Sequence, residues 1–376
     1  MTQRHISAGF MPLFDCLILV VAKERGFAAR EGVTLDLVRE TSWANIRDRI
    51  AVGHFDVAHM LAPMPVAAAL GLNPITADVI APFALGLNGN AITVSTDLWA
   101  RMEAAGAPGD LDAHGVGLAL AQVVKQGQRP RFGVVHQHSA QNYELRYWLA
   151  ACGIAPGETV DVVVVPPSLM TDALKAGAID GHCVAEPWGS ASVLAGAGRI
   201  ATTKSKIWQA SPEKVLGVSA RWATANPDAL AALLRALWAA AAWCGEAANH
   251  AEAAAILAQP NYLGLPGDVM LRGLSGHLEI APGQFAQVDD YFIPQAQGAN
   301  YPWPGHALWF YSQMARWREV AHTPDRAARA AACYRPDLFD AVLPGAKPAA
   351  PHAPQAFFDG RRFDPQKLDE YLRQPG

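Results

Sequence analysis

Two serines, Ser42 and Ser139, each stand just before a run with helical apolar spacing, in ETSWANIRDRI and HQHSAQNYELRYWLA. As N-caps they leave Trp43 and the pair Ala140 and Gln141 in first helical turns. The N–H groups of such a turn are unsatisfied and carry about half a positive charge, so a cleft lined by several such turns prefers an anion. Ser139 and His138 stand at the same corner of the chain. His136 and His138 share a strand face at period two and could ligate a metal, but no carboxylate or cysteine partners them in sequence, and no metal or cofactor is expected. Glu186, in AEPW, could serve acid–base chemistry, but with Pro187 after it a strand-end or hinge role is the better reading. Cys16, Cys152, Cys183, Cys244 and Cys333 are scattered and odd in number, with no C-x-x-C spacing. They read as small buried apolar residues in a reducing compartment, not as a disulfide framework.

The elements that would position these groups come in duplicate. GHFDVAHMLAPMP and GAIDGHCVAEPW both read G-x-x-D with a proline seven residues after the aspartate, so that Gly53, Asp56 and Pro63 answer to Gly177, Asp180 and Pro187. The surroundings repeat as well. In the first half a strand over 5–11, a helix over about 15–25, a strand over 33–38, a helix after Ser42 and a strand over 56–60 follow one another. In the second half strands over 131–136, 160–165 and 180–185 alternate with helices over 141–152 and 168–175. Offsets of roughly 124 to 127 residues align the strands. Two βαβαβ units predict two similar α/β lobes with parallel sheets. Strands over 90–95 and 214–222 read as paired crossovers of a hinge, so the second lobe is inserted into the first.

The expected division is 1–88 for the first part of lobe one, 89–213 for lobe two and 214–342 for a helical second part of lobe one. Residues 343–376 form a linker, low in periodicity over 344–354, and a short helix from Asp364. A long Ala-rich helix from Pro227 to about Ala258 packs on lobe one. In open α/β sheets a ligand lies beyond the carboxyl ends of the strands, and two such ends facing each other make a cleft. Met11, Phe14, Met64 and Pro65 are its walls or part of the core.

Composition narrows the function classes. Of 376 residues 51% are hydrophobic and 17% charged, with a formal net charge of −4, which describes a globular chain with a large core. No basic stripe interleaved with aromatics is present, which argues against direct nucleic-acid binding. The apolar run near the N-terminus is interrupted by Asp15 and leads into Lys23 and Glu24 without a cleavage site. It is read as strand one and helix one, and the chain is expected to work in the cytoplasm without membrane contact.

SWANIRDRIAVGHFDVAHMLAPMP, LRYWLAACGI, VVVVPPSLMTDALKAGAIDGHCVAEPW, SPEKVLGVSARW, WFYSQMARWRE and FFDGRRFDP resemble, in order and spacing, the nitrate/bicarbonate group of solute-binding proteins. The resemblance covers about residues 5 to 322 and the last motif. It implies a bilobed periplasmic-binding-protein-like (type II) α/β fold and a binding protein, not an enzyme. Carried over by position, it implies that Trp43, Asn90, Gln141 and Lys214 line the anion site. Asn90 stands where nitrate binders tend to have Gln; Gln141 stands where the family has His, with His138 as the other alignment. Nitrate accepts hydrogen bonds and never donates, so donors and one compensating charge suit it. Bicarbonate must donate its hydroxyl, which in the family goes with an acid at the Lys214 position; Lys214 therefore argues for nitrate or nitrite. Three or four charge-assisted bonds at roughly 1.5–3 kcal/mol each, less ordering costs, reach about 8 kcal/mol, a micromolar affinity. Without the resemblance Trp43 could be a core aromatic, Lys214 a solvated strand-end charge and Gln141 a surface amide. The chain resembles the cytoplasmic nitrate/nitrite sensor branch of the NasS type, which implies a protein partner, the RNA-binding ANTAR-type antiterminator NasT. A transporter subunit is the alternative; a pyrimidine-synthase-like enzyme of the same fold would need a Cys-rich iron site that the sequence does not show.

Overall fold

The structure, a computed structural model, describes residues 4–348 and 356–374. Ten strands build two five-stranded sheets. In chain order they are β1 (Arg4–Phe10), β2 (Val33–Arg39), β3 (Val57–Leu61), β4 (Val79–Ala84), β5 (Asn90–Ser95), β6 (Arg131–Val134), β7 (Asp161–Val164), β8 (Gly181–Ala185), β9 (Gly198–Thr203) and β10 (Lys214–Ser219). The first sheet runs β2-β1-β3-β10-β4 and the second β7-β6-β8-β5-β9. The two orders are the same once β10 and β5 are seen as exchanged: β5 follows the first lobe and enters the second sheet, and β10 returns to the first.

The repeated phrase has a physical basis here. Gly53 and Gly177 both adopt left-handed backbone, φ 79° and 66°, with open space where a Cβ would be, so conformation and not crowding asks for glycine. The Asp56 carboxylate accepts the Ser7 N–H at 2.9 Å and the Asp180 carboxylate accepts the Arg131 N–H at 2.8 Å. Each aspartate thus pins the third strand of its unit to the first. Pro63 and Pro187 then open short helices, Pro63–Ala69 and Trp188–Leu194.

Three expectations are corrected. The sheets are mixed, since β10 lies antiparallel to β3 and β4, and β5 antiparallel to β8 and β9. The two crossover strands pair with their sheets and not with each other, because each fills the gap its own sheet leaves beside the third strand. The Ala-rich segment is two helices, Pro227–Gly245 and His250–Leu257, separated by a 3-10 turn at Ala247–Asn249. The first is apolar enough to cross a membrane by length and composition, but its buried side, Leu230, Leu233, Leu234 and Leu237, packs with Leu17, Val20 and Val21 in the first lobe's core.

Two later segments depart from a simple lobe assignment. A hairpin, His277–Ala281 with Gln284–Gln287, buries Leu278 and Ile280 against Val193 and Ile200 on the second lobe's side. Of the expected linker over 344–354, residues 349–354 lie outside the described residues, as does 355. The chain before them makes a 3-10 turn at Pro344–Ala346, and the chain after them is packed. Phe357 sits against Tyr147, Trp208 and Trp309, and the Tyr147 hydroxyl donates to Asp359 at 3.0 Å. The closing helix, Leu368–Arg373, docks Tyr371 beside Gln313 and Phe363.

Candidate functional site

Helices α1 (Trp43–Ala51) and α2 (Ala140–Ala151) begin as expected: Ser42 accepts the Asn45 N–H at 3.2 Å and Ser139 the Asn142 N–H at 3.1 Å. The caps fix the first turns, and with them Trp43 from one lobe and Gln141 from the other. Asn90 is the first residue of β5 and Lys214 the first of β10. All four meet. The Gln141 amide donates to Asn90 Oδ1 at 3.4 Å, the Asn90 amide donates to Glu213, the Lys214 ammonium donates to Glu213, and the same ammonium stands 5.4 Å from the centre of the Trp43 ring. None of the four is more than 1% exposed.

The remaining two candidates turn elsewhere. The Ser139 hydroxyl is occupied, donating to the His136 carbonyl at 2.7 Å while capping α2. His138 lies 3.5 Å from Glu319 beside a surface pocket of about 340 Å³ that also holds Arg146 and Val164. Of the two residues that could occupy the family's His position, Gln141 is the one in the cluster. His136 accepts the His138 N–H at 2.9 Å and is held down to about 3 by burial, next by His138 and Arg47. Among the described residues no group of three or more His, Cys, Asp or Glu side chains is arranged to hold a metal ion.

Sequence reasoning missed more than half of the polar cluster. Asp15, sheltered in the short turn Phe14–Cys16, accepts from Lys214 Nζ at 2.6 Å and lies 2.9 Å from His59 Nε2. His59 Nδ1 takes the Met11 N–H at 3.4 Å, which fits a neutral ring with its proton on Nε2, toward Asp15. Lys204 bonds Glu213, lies 3.1 Å from Glu144 and donates to the Pro212 carbonyl at 2.8 Å. The Ser211 hydroxyl donates to Glu144. An isolated carboxylate in an apolar run was the signal for Asp15, and a carboxylate beside the lysine was the signal for Glu213. Lys204 and Glu144 carry none, because only the fold brings them to one point.

The electrostatics follow from burial and pairing. Burial pushes the Asp15 carboxyl up, but Lys214 and the His59 N–H outweigh it and hold it at about 2. For Lys214 burial disfavours the ammonium and the Asp15 and Glu213 carboxylates reverse that, raising it. His59 is lowered because burial outweighs the pull of Asp15. Glu144 is pushed up to about 7: burial dominates, Lys204 opposes it and Glu213 adds to it. Trp43 Nε1, Gln141 Oε1 and Glu144 Oε2 are buried without a hydrogen-bond partner among the described residues, as are Asp15 Oδ1 and His59 Nε2, which at least face each other at 2.9 Å. A carboxamide can turn over, so Gln141 can offer a donor where it now shows an acceptor. Unpaired buried polar groups are costly, and a small ligand that pairs them recovers that cost.

Comparison with known proteins agrees with this architecture. The sequence pattern of the NMT1-like family matches residues 2–258. The chain is 35% identical to the bicarbonate transport ATP-binding protein CmpC of a Synechocystis strain, over 98% of the chain and 55% of that protein. It is 30% identical to the nitrate/nitrite binding protein NrtA of Synechococcus elongatus, over 98% of the chain and 85% of that protein. The chain thus spans about half the length of the ATP-binding relatives it matches and most of the length of NrtA. The crystal structure of the periplasmic nitrate-binding protein NrtA from Synechocystis superposes with a TM-score of 0.91 at 28% identity, covering 100% of this chain and 99% of that one.

Proposed function

Because the chain belongs to the NMT1-like family and has the bilobed fold of periplasmic binding proteins, we propose that it is a binding protein that closes its two lobes on nitrate or nitrite. The observation that carries the reading is the meeting of Trp43 and Gln141, from first helical turns in opposite lobes, with Asn90 and Lys214 at the two crossover strands. A planar anion there gains the Trp43 N–H, the Asn90 and Gln141 amides and the Lys214 ammonium. The family resemblance to NrtA over nearly the whole chain supports an anion of that kind. Its relatives are named for binding and transport, which supports a binder and not an enzyme.

We further propose that the work is regulatory and cytoplasmic: the anion-free protein holds an ANTAR-type antiterminator of the NasT kind, and occupancy releases it. An acidic chain suits a partner basic enough to bind RNA. Release can be no stronger than the anion's preference for one of the two lobe arrangements. Calorimetry with nitrate, nitrite and bicarbonate on the purified chain tests the first step. Micromolar heat with nitrate or nitrite and none with bicarbonate supports it. Heat with bicarbonate alone favours the reading that the likeness to CmpC and the acids beside Lys214 would then explain. Capture of the antiterminator on immobilised protein, eluted by nitrate, tests the second; a complex indifferent to nitrate leaves a transport role as the better account.

A further inference from the structure

The buried cluster already holds more carboxylates than ammoniums. Lys214 faces Asp15 and Glu213, Lys204 faces Glu213 and Glu144, and His59 is oriented as a neutral donor. Every one of these side chains is 2% exposed or less. A monovalent anion set among them adds another buried negative charge with no cation left over to answer it, and uncompensated buried charge is disfavoured strongly enough that a nearby group changes its protonation instead. Resting on the nitrate reading above, we infer that the cleft takes up its anion together with one proton, and that Glu144 is the group that carries it.

Geometry selects Glu144 from the three carboxylates. Asp15 is bonded to Lys214 and touches the His59 N–H, and Glu213 is bonded by both lysines and by Asn90, so protonating either would break strong contacts. Glu144 has one oxygen bonded by Ser211 and near Lys204, while its Oε2 has no partner among the described residues. That bare oxygen can hold a proton and become a donor. Glu144 also lies one turn after Gln141 on the same face of α2, and so borders the place where the anion is proposed to sit. The groups facing it are Lys204 and Ser211, Glu213 before β10, and the Cys183 thiol on β8, which burial and the neighbouring carboxylates keep protonated. Glu186, another deeply buried carboxyl, takes the Tyr291 O–H and the Ser190 N–H and stands outside this ion cluster. The step is an ionic equilibrium: the Glu144 carboxylate takes H⁺ from water or buffer as the anion enters, and returns it when the anion leaves.

The test is calorimetry of the intact chain with sodium nitrate at one pH in Tris and in HEPES, whose ionisation heats differ, repeated from pH 6 to pH 8. Expected is uptake approaching one proton per nitrate at pH 8 and falling toward none at pH 6, because Glu144 titrates near 7 in the free protein. The apparent Kd then rises up to about tenfold per pH unit above neutrality. In Glu144→Gln the proton uptake and the pH dependence disappear. Nitrate heat that is identical in both buffers, with a Kd flat from pH 6 to 8, overturns the inference and leaves the nitrate reading standing. Uptake that survives in Glu144→Gln overturns the assignment to Glu144. Absence of nitrate and nitrite heat at every pH overturns both readings together.

Discussion

At the scale of single residues, Trp43 and Lys214 separate binding from stability in opposite ways. The Trp43 indole N–H has no partner among the described residues although the ring is buried. In Trp43→Phe most of the ring packing is kept and the donor proposed to meet the ligand is lost. Nitrate affinity should fall by about ten- to a hundredfold, the loss of one charge-assisted bond of roughly 1.5–3 kcal/mol, with stability changed by less than about 1 kcal/mol; calorimetry and thermal unfolding on one preparation check both. Lys214→Met should instead cost about 3–5 kcal/mol of stability, because Asp15 and Glu213 are left buried without their cation. Asp15→Asn added to Lys214→Met should recover part of that stability and none of the nitrate binding. Recovery of binding would remove Lys214 from the site. Trp43, Asn90, Gln141 and Lys214 were legible in the sequence through family position. Lys204 and Glu144 were not, since a charge buried by contacts about 60 residues away looks like any other charge in a string, and Asp15 showed only as a break in an apolar run.

At the scale of elements, the first turns of α1 and α2 are the parts whose precision the site depends on. Ser139→Ala removes the cap that accepts the Asn142 N–H, and should cost about 1 kcal/mol and weaken nitrate binding several-fold by loosening Gln141. Ser139→Thr, whose hydroxyl can both accept the Asn142 N–H and donate to the His136 carbonyl, should restore both. The strands and caps were readable because period two, period 3.6 and stop signals such as Gly53 and Gly177 are local. The antiparallel setting of β5 and β10 was not readable, because direction within a sheet is decided by where the rest of the chain closes. The hairpin 277–287 escaped notice for a related reason: its inward face is just Leu278 and Ile280, too short for a pattern.

At the scale of the whole molecule, stability should be greatest at mildly acid pH. Glu144 titrates about 7 in the folded chain against 4.5 when exposed. A raised carboxyl stabilises below its unfolded value, and that contribution is lost as pH rises through 7, by at most about 3 kcal/mol. His136 and His182, lowered to about 3 by burial, act in the other direction: the unfolded chain takes their protons first, so stability falls as pH drops from 6.5 toward 3. Urea unfolding across pH 4 to 8.5 should trace this dome, and Glu144→Gln should flatten its alkaline side. Phe357→Ala should cost about 3–5 kcal/mol, since it empties a pocket formed with Tyr147, Trp208 and Trp309. Finally, β5 and β10 each begin at a site residue, Asn90 and Lys214, and each is a place where the chain passes from one lobe to the other. The proposed seat of the anion is therefore at the fulcrum of the molecule. Levers move least at the fulcrum and most at their tips, so occupancy should be nearly invisible in the positions of Asn90 and Lys214. It should be conspicuous at the far ends of the jaws, and a listener waiting for the signal would do best to grip there.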